Sequence, residues 1–152
     1  YFLEVQDAKG RQLRAQTTVP GLFQITRPAD GATFASDSYV EFSWEPSSGA
    51  GIYVLGRNLS GCEAEYNDRN FGYYGAFGAT TASLIAWLNT FCFTSPQVQT
   101  FKVLAYDSAL AAYQYSVGRN GSQFQRSNVE GGLGVFGSMV ADSLALTITP
   151  QL

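Results

Sequence analysis

A two-residue rhythm runs through this chain. Apolar and polar residues exchange places at successive positions in short runs, and Gly, Pro, Asp or Ser closes each run within about 8–12 residues. In Tyr39 to Trp44, Val40, Phe42 and Trp44 fall on one side, with Glu41 and Ser43 on the other. Side chains alternate between the two faces of a strand, so this segment is a strand with one buried face. Gln97 to Tyr106 repeats the pattern, with Phe101, Val103 and Ala105 together.

Tyr1 to Gln6 and Gln12 to Val19 flank Asp7-Ala8-Lys9-Gly10 and read as a hairpin. Pro20-Gly21 breaks it, a fresh start follows at Leu22 to Pro28, and Asp30 to Phe34 turns the chain into the next strand. Ile52-Tyr53-Val54-Leu55 is apolar throughout, as suits a central strand covered on both faces. Ser83 to Leu88 could be strand or a short helix, and strand is preferred because Thr80-Thr81 precedes it and the apolar run is short; Ser143 to Thr149 is a last alternating strand. Asp107-Ser108 offers an N-cap to Ala109–Tyr113, the one convincing helical turn.

Seven or more such strands predict an all-β chain, an antiparallel β-sandwich. Composition agrees: 16 glycines and 14% aromatic residues suit short strands and tight turns. At 152 residues there is material for one core. The expected organisation is a hairpin over residues 1–20, packed on or continuing the sandwich, and a sandwich domain over 21–152. The chain opens at Tyr1 directly on a strand, which reads as a processed or incomplete start with any targeting segment upstream.

The absence of histidine restricts chemistry most. It removes Ser-His and Cys-His nucleophile systems, His-ligated metals and the side chain that titrates near neutrality. Charged residues are 14% of the chain, against about 25% in an average domain. With a net charge of −3 and its seven arginines dispersed, the chain has no basic field for nucleic acid. No apolar run is long enough for a membrane-spanning helix. Cys62 and Cys92 cannot make a four-ligand zinc site without histidine, and a disulfide is the better reading. Closing that loop would stabilise the fold by roughly 3–4 kcal/mol and imply an oxidising compartment.

Ser60 to Thr81 is the irregular part, a long polar insertion rich in Gly and Tyr. Glu63, Glu65 and Asp68, with Asn67 and Asn70, supply oxygens of the kind calcium takes, but their spacing is not that of an EF-hand and Arg69 sits among them. A solvated acidic loop is the better account, and nothing fixes Glu63 and Glu65 as a glycosidase pair. Phe71-Gly72-Tyr73-Tyr74-Gly75-Ala76-Phe77-Gly78 is more suggestive, because Phe71, Tyr73, Tyr74 and Phe77 on a Gly-shaped loop offer flat apolar faces with hydroxyl handles. Protein contact is the leading use of these rings, ahead of capping the open end of the sandwich and of stacking on sugars. Asn128 to Gly137 lacks the Lys-Ser/Thr of a phosphate loop, so its glycines read as permitting close packing or a bulge.

Ile25 to Phe34, Val40 to Pro46, Tyr53 to Leu55 and Phe101 to Asp107 together resemble the strand pattern of immunoglobulin-like and fibronectin type III modules. Leu13 to Pro20 and Ser127 to Gly137 resemble segments of a class of bacterial exported lipoproteins carrying an Ig-like domain. The resemblance covers the chain from about residue 12 onward. It implies a sandwich with Trp44 and Tyr53 as core aromatics, export to the periplasm or cell surface, and lipid anchorage through an upstream segment; it supplies no catalytic or ligand residues. The expectation is a non-catalytic structural or accessory subunit without cofactor. Its partners would be proteins of a cell-envelope assembly or copies of itself. The alternative is a carbohydrate-binding module using the aromatic loop.

Overall fold

The computed structural model describes residues 1–58, 71–78, 80–88, 95–117 and 126–150, with 58, 71–77 and 117 described by backbone alone. The chain opens with β1 (Phe2–Gln6) and β2 (Gln12–Gln16), then short β3 (Ile25–Arg27) and β4 (Thr33–Ala35), then β5 (Tyr39–Trp44) and β6 (Ile52–Asn58). β7 (Phe71–Gly78) and β8 (Ser83–Trp87) follow, then β9 (Gln97–Tyr106), α1 (Ser108–Val117), β10 (Val129–Glu130) and β11 (Met139–Thr149).

Among the described residues the strands form three sheets, β1-β2-β10, β4-β11-β9-β6-β7 and β3-β5-β8. Every described pairing is antiparallel except β4 beside β11. The expected all-β character holds.

Alternation explains where the core sits. Val40, Phe42 and Trp44 of β5 and Ala86 of β8 turn to the same side, and Tyr53, Leu55, Phe101, Val103, Ala105, Leu144, Leu146 and Ile148 meet them from the five-stranded sheet. Phe42 and Phe101 lie 5.2 Å apart between ring centroids, and Trp44 and Tyr53 are equally close, so aromatic contacts join the two sheets. Burying one such side chain fully is worth about 1.5–3 kcal/mol, which makes this face the main source of stability. Trp44 and Tyr53 are core aromatics, as expected.

The uniformly apolar run in β6 also has a structural cause. Tyr53 and Leu55 face the main core, whereas Ile52 and Val54 face the other side of the sheet. There they join Leu104, Tyr106, Leu110 and Ala111 in a second cluster. The expected helical turn is a full helix of 10 residues that covers this second face. It begins where Asp107 Oδ1 accepts the Leu110 N–H at 2.7 Å, the N-cap arrangement expected from Asp107-Ser108. Gly51 admits the helix: a Cβ there would lie 2.9 Å from Asp107 O, Ser108 Cα and Ala111 Cβ.

The opening hairpin is not an isolated appendage. β2 also pairs with β10, Val129 standing opposite Ala15 and Glu130 opposite Arg14. Glycine at 131 allows this closeness, since a Cβ would fall 2.3 Å from Gln12 O and the backbone φ is +80°. The glycine-dense connection after β10 is closed by Asn128, whose side chain donates to Phe136 O at 2.7 Å and accepts from Phe136 N–H at 2.8 Å. Close packing was the expected role of these glycines.

Candidate functional site

The aromatic-glycine run does not form the expected loop. Phe71 to Gly78 is strand β7, at the edge of the five-stranded sheet, with Phe71 opposite Asn58, Tyr73 opposite Gly56 and Phe77 opposite Tyr53. The register shifts between Leu55↔Gly75 and Gly56↔Tyr73, which leaves Tyr74 as the additional residue of a bulge. The aromatic residues suit a strand, and pairing with β6 overrides the turn preference of the glycines. Cys62, Cys92, Glu63, Glu65 and Asp68 lie outside the described residues.

The exposed aromatic surface that the described side chains do form is elsewhere, on the outer face of β3-β5-β8. Tyr39 stands opposite Trp87 and Glu41 opposite Ile85. Tyr39 is 72% exposed, Ile85 69% and Trp87 43%, unusual values for large apolar side chains gathered on one flat face. The Tyr39 and Trp87 rings stack with centroids 6.1 Å apart and planes 17° apart, and the indole Nε1–H donates to Asp37 O at 3.1 Å. Arg27 and Glu41 form an ion pair at 3.9 Å on the same sheet.

The sequence held a signal for this surface. In β5 the phase opposite Val40, Phe42 and Trp44 includes Tyr39 as well as Glu41 and Ser43, and in β8 the phase opposite Leu84 and Ala86 consists of Ser83, Ile85 and Trp87. Large apolar residues in the solvent phase of two paired strands mark a contact face. That signal appears only once the two strands are known to be neighbours.

Charge is sparse at the described surface and largely self-satisfied. Arg11 pairs with Asp7 at 2.6 Å and Arg14 with Glu4 at 3.2 Å. The Arg11 backbone N–H and then its guanidinium hold the Asp7 carboxyl below its ordinary value of 3.8, with the Lys9 N–H helping.

Asp107 is the buried carboxylate among the described residues. While Oδ1 caps α1, Oδ2 accepts the Ser138 N–H at 3.1 Å and the Thr17 hydroxyl. Ser138 Oγ lies 3.2 Å from Oδ2 and 3.1 Å from the Thr18 carbonyl, so its one proton serves one of the two. Both carboxylate oxygens are thus engaged in tying together the end of β9, the start of α1, the chain after β2 and the approach to β11. This is a fastening, with neither oxygen directed at a substrate cleft.

No group of three or more Cys, Asp or Glu residues able to hold a metal occurs among the described residues. Among the same residues, no helix is long and apolar enough to cross a membrane. No protein-family model, curated protein or solved structure matches the chain at a significant level.

Proposed function

We propose that this chain is a non-catalytic structural or accessory domain whose task is protein–protein assembly outside the cytoplasm. It would be docked on a membrane-anchored complex or joined to copies of itself in a fibre or layer. The observation that carries this reading is the Tyr39, Ile85 and Trp87 surface. Burying a large apolar side chain against a partner returns the stabilisation that its exposure forgoes, and aromatic residues are the usual anchors of such contacts. Low charge supports the same reading, because a surface with few Lys and Glu residues is poorly defended against association.

An Ig-like sandwich is the fold we propose beneath this function. Strand order supports it. With β5 and β8 taken as strands B and E, and β11-β9-β6 as G-F-C, two sheets face one core, as in Ig-like domains. The exported lipoprotein character rests on the residue patterns at the two ends of the chain.

The test is sedimentation of the 152-residue chain, alone and in an envelope extract, beside Ile85→Lys. The expected result is a stoichiometric complex that Ile85→Lys dissolves while the unfolding midpoint stays unchanged. A wild-type chain that stays monomeric in both settings would sink the assembly reading. Retention on an insoluble polysaccharide, lost when Tyr73, Tyr74 and Phe77 are replaced by Ala, would establish the carbohydrate-binding alternative in its place.

A further inference from the structure

A sheet edge offers a row of main-chain N–H and C=O groups, and β proteins ordinarily close such edges by shortness, proline, bulges or charge. The described edges differ in this respect. β3, β4 and β10 are two or three residues long, and β3 runs into Pro28. β7 carries a bulge. β1 is closed by neither shortness, proline nor a bulge: it is five residues long, and its ladder with β2 runs unshifted from Phe2↔Gln16 to Gln6↔Gln12.

The phase of that ladder identifies the open groups. Thr17 N–H donates to Tyr1 O and Asp7 N–H to Arg11 O, both at 3.0 Å. Residues 1, 3, 5 and 7 therefore spend their main-chain groups on the β2 side, and Phe2, Glu4 and Gln6 point theirs outward. No described residue covers them. Tyr1 is 75% exposed, Phe2 81% and Val5 45%, and Glu4, the one charged side chain of β1, is paired with Arg14.

We propose that β1 is a self-pairing edge: two copies of the chain join through an antiparallel β1 ladder about a two-fold axis, making a six-stranded sheet from two three-stranded ones. Self-complementarity selects a second copy as the occupant. With the axis at Glu4, Phe2 faces the second copy's Gln6, so all three outward residues exchange hydrogen bonds. Leu3 then falls opposite the second copy's Val5, apolar on apolar. Where the two Glu4 side chains meet, each chain's Arg14 supplies the balancing charge. One strand edge buries less than the roughly 1,200 Å² of a stable interface, so the dimer is weak and forms at high micromolar to millimolar concentration. This goes beyond the assembly reading above, which stands on the Tyr39, Ile85 and Trp87 face of another sheet.

Sedimentation equilibrium from micromolar to millimolar concentration, with amide exchange at both ends of the range, tests the proposal. The expected result is a monomer–dimer equilibrium in which the Phe2, Glu4 and Gln6 amides slow as concentration rises. Glu4→Pro deletes an outward N–H that β2 does not use; losing two such donors per dimer weakens association roughly ten-fold or more. Phe2→Lys places a cation on the same edge, weakens the dimer in the same direction and decides the matter if the proline variant does not fold. A chain monomeric throughout, or a dimer whose three amides exchange as fast as in dilute solution, overturns the pairing. A monomer that still sediments with a foreign protein overturns the pairing while leaving the assembly reading intact.

Discussion

Asp107 shows how much one side chain can organise. Its carboxylate serves the Leu110 and Ser138 N–H groups and the Thr17 hydroxyl, so Asp107→Ala removes an N-cap and strands buried donors together. The cap alone is worth about 1 kcal/mol, and each unsatisfied buried group adds about 1–3 kcal/mol. The expected loss is at least about 2 kcal/mol, read as a lower midpoint in urea unfolding. Asp7 acts on a smaller scale and through pH. Its folded carboxyl titrates below 3.8, so it stabilises the β1–β2 turn above that value, and this contribution disappears as the pH falls through the lowered value. The protection factors of the Lys9 and Arg11 amides, with the intrinsic pH dependence of exchange divided out, should fall below about pH 3.8 in the wild type. In Asp7→Asn the protection should be lower at neutral pH and should not fall further in acid.

At the scale of elements, α1 was legible at its start and not in its extent. Asp107-Ser108 marks an N-cap in any sequence, but a run of ten residues with Ala, Tyr, Gln and Ser becomes helix because Ile52, Val54, Leu104 and Tyr106 offer it a surface. The helix sits so close to the sheet that Gly51→Ala would place a methyl 2.9 Å from Asp107 O and Ser108 Cα, which are backbone and cannot rotate away. Overpacking of this kind costs about 1–3 kcal/mol. The expected outcome is that loss of stability with a weaker helical signal in far-ultraviolet circular dichroism. β7 was misread for the complementary reason. Gly72, Gly75 and Gly78 carry turn preference, and only the neighbouring β6 supplies the ladder that makes the segment a strand.

For the molecule as a whole, β5 separates stability from association along a single strand. Phe42 is fully buried between the sheets, and Tyr39, three residues earlier, is 72% exposed on the outer face. Phe42→Ala should therefore cost about 3–5 kcal/mol in chemical unfolding. Tyr39→Ala should cost about 1 kcal/mol, the worth of its stack on Trp87, while weakening assembly far more than Phe42→Ala does in the fraction that remains folded.

Strand phase is local, set by the two-residue period of an extended backbone, so the sequence by itself determined that Val40, Phe42, Trp44, Phe101, Val103 and Ala105 would be core, and that the missing histidine would exclude imidazole chemistry. Which strands are neighbours is decided by contacts between residues far apart in the chain, and the tertiary structure alone could settle it. It brought Tyr39 beside Trp87, Gly51 under α1 and Thr17 and Ser138 onto Asp107. It also set β1 at an edge with its outward amides uncovered by any described residue.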